Sequence, residues 1–144
     1  MSTINKTINH FMEYQGSCLC KGVTFKVIGN FKSFYLCHCS YCQKDTGSAH
    51  AANLFSTSAK LEWTKRETEI TTFQLAGSRH QKSFCATCGS ALPNLQMGDK
   101  LLVVPAGSLD TGLEKRPDAH LFMSSKADWD EALEEIKKFE GFPE

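Results

Sequence analysis

The residues that could do chemistry in this chain are its seven cysteines, which fall into three clusters: Cys18-Leu19-Cys20, Cys37-His38-Cys39-Ser40-Tyr41-Cys42 and Cys85-Ala86-Thr87-Cys88. An odd number cannot be used up by intrachain disulfides. Seven in 144 residues also lies below the roughly 8–10% density of small secreted disulfide scaffolds. Clustered thiols in a reducing compartment point to metal binding or catalysis, and each cluster has chelating spacing. Cys85-x-x-Cys88 followed by Gly89 reads as a tight turn in which two thiolates face one ion, the glycine accommodating a left-handed backbone. Cys-x-Cys on an extended segment projects both side chains from one face, because strand periodicity is two.

Stoichiometry limits how these ligands are shared. A structural zinc site takes four, and the pairs Cys18/Cys20 and Cys85/Cys88 supply four between segments 67 residues apart. The remaining trio, Cys37, Cys39 and Cys42, can chelate a second zinc and leave one position open, which separates catalytic from structural zinc. Two zinc ions per chain are therefore expected, one closed site and one open. Spacing alone also permits Cys18/Cys20 to join two of the trio. The fourth ligand of the open site is not specified. His38 lies between two ligands on an expected extended segment and should point to the opposite face, in a supporting role. His50, His80 and His120 could approach from elsewhere, whereas His10 sits in a polar N-terminus without signal.

These ligands must be positioned by short strands. Residues 22–28 alternate Val23, Phe25 and Val27 against Thr24 and Lys26, the pattern of a half-buried strand. Similar segments at 33–37, 50–56, 60–63, 69–75, 80–85, 100–104 and 119–123 are separated by turn signals such as Gly29-Asn30, Ala76-Gly77-Ser78 and Met97-Gly98-Asp99. An antiparallel, mainly β fold is expected, as one domain over 1–144 with its core at about 14–143. The exception is a short C-terminal helix, capped by Asp128, with Trp129, Leu133, Ile136 and Phe139 at roughly helical spacing and Gly141 and Pro143 at its end.

Composition excludes several classes. Sixteen basic residues balance sixteen acidic ones, and no dense basic face of the kind nucleic-acid binders carry is visible. The longest apolar run, Leu101 to Ala106, has six residues against the roughly 20 needed to cross a bilayer. The N-terminus MSTINKTINH lacks the apolar stretch of a secretory signal, so a cytoplasmic location is expected. The oligomeric state is not specified.

Five motifs in order resemble the glutathione-dependent formaldehyde-activating enzyme and centromere protein V family: G-S-C-L-C-K-G-V at 16–23, C-H-C-S-Y-C-Q-K at 37–44 followed by Gly47-Ser48, F-C-A-T-C-G-S-A-L at 84–92, A-G-S-L-D at 106–110 and P-D-A-H-L-F at 117–122. The resemblance implies a zinc-bearing antiparallel β-tent and carbon-sulfur lyase activity. It places Cys18, Cys20, Cys85 and Cys88 at structural zinc positions and Cys37, Cys39 and Cys42 at catalytic ones. It also implies a glutathione-like thiol and an aldehyde as small-molecule partners, joined as an S-hydroxymethyl adduct. One departure is Gln43-Lys44, where the family often has Arg; an anion contact there falls to Lys44, a point charge instead of a planar fork, or is lost. Asp45, His50 and His120 are candidate acid-base groups without a distinguishing signal, and Tyr41, Phe55 and Phe73 are candidate pocket walls. The competing readings are a non-catalytic zinc-stabilised binding module and a lyase acting on another thiol adduct.

Overall fold

Period-two burial builds most of the structure, a computed structural model that describes residues 12–143. The N-terminal reading and His10 lie outside the described residues. β1 (Glu13–Ser17), β2 (Thr24–Ile28) and β5 (Lys60–Lys65) form one antiparallel sheet in the order β1-β2-β5. In β2, Phe25 and Val27 are buried while the residues flanking them are partly exposed, as the alternation predicts. A second sheet has the order β11-β3-β4-β10-β9, from β3 (Ser33–Cys37), β4 (Ala51–Ser56), β9 (Asn94–Gln96), β10 (Leu101–Pro105) and β11 (Ala119–Leu121). Its pairs are antiparallel except β3 with β11. The third sheet joins β6 (Ile70–Gln74), β7 (Gln81–Cys85) and β8 (Ala91–Leu92). Phe25, Val27, Phe34, Leu54, Leu92, Leu102 and Val104 are buried in one shared core. No helix among the described residues is long and apolar enough to cross a membrane.

The mainly β, antiparallel architecture thus agrees with the alternation in the sequence. Two local expectations do not hold. Neither Cys-x-Cys lies wholly on an extended segment. Cys18 to Gly22 turn back on themselves, with Lys21 N–H donating to the Cys18 carbonyl (3.0 Å) and Lys21 at φ 66°. Cys37 ends β3, but Cys39 caps the helix α1 (Ser40–Thr46), accepting a hydrogen bond at Sγ from Cys42 N–H (3.3 Å). Gly47, at φ 65°, closes that helix in the left-handed conformation.

The expected C-terminal helix is likewise absent. Only a single 3-10 turn forms, at Leu133–Glu135, and Ala132 before it has φ 52°, which interrupts any α-helical ladder. A helix of that length draws its stability from burying an apolar face. Trp129, Leu133, Ile136 and Phe139 are instead exposed, so periodicity there has no packing partner.

The approach of β1 to β2 depends on Gly16, which pairs with Phe25. A Cβ at this position would overlap the Phe25 ring and lie 2.5 Å from the Ser108 carbonyl oxygen. Gly16→Ala is expected to cost about 1–3 kcal/mol through overpacking, read as a lower urea midpoint at unchanged slope. A wild-type midpoint would contradict the close approach.

Candidate metal centre

The turn after β1 and the turn after β7 bring two thiol pairs together. Cys18, Cys20, Cys85 and Cys88 present their sulfurs within 4.8 Å of one another. Cys18 Sγ lies 3.5 Å from Cys20 Sγ, and Cys20 Sγ lies 3.9 Å from Cys85 Sγ. Zn–S bonds of about 2.3 Å at tetrahedral angles place sulfurs about 3.8 Å apart, so the donor set and its spacing suit zinc. Both turns are shaped by backbone hydrogen bonds. Cys18 N–H donates to the Val23 carbonyl (3.1 Å), Val23 N–H to Cys18 Sγ (3.3 Å), Cys85 N–H to the Ser90 carbonyl (3.0 Å) and Gly89 N–H to the Cys85 carbonyl (2.8 Å). Gly89 takes φ 78° with open space around it; its requirement is the left-handed backbone, not room.

Ser90 joins the two turns. Its hydroxyl oxygen accepts from Leu19 N–H (2.9 Å) and lies 3.3 Å from Cys88 Sγ, to which the hydroxyl can donate once that thiol ionises. The Ser90 hydroxyl, followed by its amide, holds the Cys88 thiol down at about 5. The Gly22 amide pulls Cys20 downward, but its neighbours, Cys18 foremost, outweigh that and push it up to about 11. Cys18 is lowered: burial raises it, but the Val23 amide and the Cys20 and Cys85 thiols prevail. The four thiols cannot all ionise side by side without a cation.

The second cluster forms where β3 runs into α1. Cys37, Cys39 and Cys42 also lie within 4.8 Å of one another. Burial pushes Cys37 and, much further, Cys42 upward. Burial raises Cys39 too, but the Cys42 amide and the neighbouring thiols outweigh it and lower the net value. The grouping is thus four and three, and Cys18/Cys20 do not share a cluster with the trio.

A cavity of about 240 Å³ opens beside the trio, lined by Cys37, Cys42, Tyr35, Asp45, Arg79 and His80 among others. Asp45 Oδ2 is 2.7 Å from His80 Nε2, and Asp45 Oδ1 is 3.0 Å from Lys82 Nζ. Of the expected pocket walls, Phe55 lines this cavity, while the half-exposed Tyr41 and Phe73 border, with Lys44, an adjoining groove that shares Asp45 and His80 with it. Gln43 spans chain segments, donating from Nε2 to the carbonyls of His38 (2.7 Å) and Ser125 (2.9 Å). Arg79 was not among the residues singled out in the sequence, because a lone arginine in a polar turn carries no signal until the fold turns it to the cavity.

His38 turns away from the trio, buried at 1% exposure, and its Nε2 lies 2.9 Å from His120 Nδ1. Burial, then the neighbouring His50, lowers its pKa, against a smaller upward pull from Asp130. His38 groups with His50 and Asp130 and not with the trio.

The model of the family described as glutathione-dependent formaldehyde-activating enzyme matches residues 13–125. The chain belongs to that family. The match takes in all seven cysteines, the cavity residues and β11. Family membership brings glutathione- and formaldehyde-related carbon-sulfur chemistry with it. A crystal structure of a Rhodobacter sphaeroides protein is similar in fold, with a TM-score of 0.54 at 20% identity, covering 74% of this chain and 98% of that one. No curated protein matches the chain.

Because Ser90 supports both turns, Ser90→Ala is expected to weaken metal retention at the four-cysteine cluster about 10–100-fold, as loss of groups that orient ligands does. Competition with a chelator measures it. Retention equal to wild type would remove Ser90 from the site's support.

Proposed function

We propose that the chain is a zinc-dependent carbon-sulfur lyase that forms or cleaves the S-hydroxymethyl adduct of a glutathione-like thiol with formaldehyde. The four-cysteine cluster holds a structural zinc, and Cys37, Cys39 and Cys42 hold the catalytic one. The observation that carries this reading is the three-thiol cluster at the wall of a cavity that also presents Arg79 and the Asp45–His80 pair. Zinc bound there would stabilise the substrate thiol as thiolate at neutral pH and position it for attack.

With three thiolates already on a divalent ion, the centre carries a formal charge of about −1, which weakens it as a Lewis acid and favours thiol capture over carbonyl polarisation. The chain's own residues then do the remaining work. Arg79 offers a planar fork to a carboxylate of the thiol substrate. Asp45 holds His80 through Nε2 and orients its ring, in the way a carboxylate steadies a catalytic imidazole. In adduct formation, the thiol sulfur bonds to the aldehyde carbon, the carbonyl π bond becomes a C–O single bond, and the proton lost by sulfur ends on that oxygen. His80 carries this proton between the two atoms, and cleavage runs the same path in reverse.

The division of labour predicts unequal damage. Binding of a structural zinc contributes about 10–16 kcal/mol in small metal domains, as large as the roughly 5–15 kcal/mol net stability of a typical protein. Cys88→Ser should therefore fail to fold, while Cys39→Ser should fold and lose one thiolate-bound zinc. Equal loss of circular dichroism in both would undo the division. Glutathione and formaldehyde exchange, followed by NMR exchange spectroscopy, should be accelerated by the wild type, abolished in Cys39→Ser and slowed about 10²–10⁴-fold in His80→Gln. Exchange at the uncatalysed rate with wild-type protein would eliminate this substrate pair.

A further inference from the structure

Three strands of the second sheet end side by side and carry histidines there. His38 follows β3, His50 precedes β4 and His120 lies on β11. The C-terminal segment brings Asp130 onto the same spot. A ring nitrogen of His38, a ring nitrogen of His50 and an Asp130 carboxylate oxygen lie within 4.8 Å of one another, a set separate from both cysteine clusters.

Hydrogen bonding leaves this set unsatisfied. His38 Nδ1 is 3.3 Å from Asp130 Oδ2, yet among the described residues it makes no hydrogen bond, and neither does the buried His50 Nδ1. Unpaired buried polar atoms cost about 1–3 kcal/mol each. The other ring nitrogen of His38 explains the arrangement. In the tautomer in which Nε2–H donates to His120 Nδ1 across 2.9 Å, His38 Nδ1 is left as a bare lone pair 3.3 Å from a carboxylate oxygen. In that tautomer two acceptors lie side by side, an arrangement that a metal cation between them relieves. Zinc at about 2.0–2.1 Å from two tetrahedral ligands separates them by about 3.3 Å, which is the distance observed between Nδ1 and Oδ2. An outward N–H held by a second residue is also how metal-ligating histidines are ordinarily fixed. Lys126, the nearby cation, is engaged by Glu131 at 2.6 Å and does not fill the role.

We infer that His38, His50 and Asp130 form a third metal site, taking a zinc-like divalent transition ion through two imidazoles and one carboxylate, with His120 orienting His38. Such a donor set suits borderline divalent ions more than calcium or magnesium. With three protein ligands it binds more weakly than a four-thiolate site and fills when metal is in excess. Loading would fasten the C-terminal segment, through Asp130, to the turn that carries Cys37 and Cys39.

Cadmium NMR on the full-length protein tests this directly, because the shift of each bound ion reports sulfur against nitrogen and oxygen ligands. With excess cadmium, three resonances are expected: two in the thiolate range and one far upfield. His50→Ala and Asp130→Asn should each lose the upfield signal and keep the two thiolate signals, which serve as the internal check that the variant is folded. Two thiolate resonances alone in the wild type would overturn the inference. So would an upfield resonance unchanged in a variant whose thiolate signals persist.

Discussion

Four sulfurs held within 4.8 Å of one another are the constraint around which the rest of the molecule is arranged. As thiolates they repel, and as thiols they crowd polar atoms without good partners. Either state is costly unless a cation neutralises them. The neighbouring thiols, Cys18 foremost, outweigh the Gly22 amide and push Cys20 up to about 11, which is the mark of that conflict. Its resolution by zinc would cross-link the first and third sheets through turns 67 residues apart in the chain. The Ser90 bridge and the left-handed Gly89 then read as parts of one device that brings the turn after β1 against the turn after β7.

The second cluster obeys a different rule. It occupies consecutive elements, the end of β3 and the first turn of α1, so little long-range folding is needed to form it. Long-range folding is spent instead on its surroundings. The β6–β7 hairpin delivers Arg79 and His80, and α1 delivers Asp45. A site with three close thiols and a cavity at its side has room for a substrate sulfur; a site with four has none. In the proposed reading, the difference between the structural and the catalytic site is one ligand.

The parts legible in the sequence are those set by local spacing. Chelating pairs are defined within two to six residues, and β2 announces itself through Val23, Phe25 and Val27. Helix α1 was not legible: its seven residues, Ser40–Thr46, bury only Cys42, and its ends are made by a cysteine cap and Gly47. The opposite error arose at 128–139, where Trp129, Leu133, Ile136 and Phe139 have helical spacing but nothing to pack against. Pairings across the chain, such as Asp45 with His80 or His38 with Asp130, leave no local trace, because only sheet register brings them together. The change from a strand to a helix within the trio also mattered: Cys39 Sγ, expected on a strand face, is turned by the helix cap toward Cys42.

The central claim is that one cluster is closed and the other open, and cobalt substitution measures that difference in a single sample. With cobalt in both cysteine sites, adding glutathione should change the absorption of one ion per chain, by a fourth thiolate joining the Cys37, Cys39 and Cys42 site, and leave the four-cysteine ion unaltered. A spectrum indifferent to glutathione, or a change that persists when Cys39 is replaced by serine, would contradict the account.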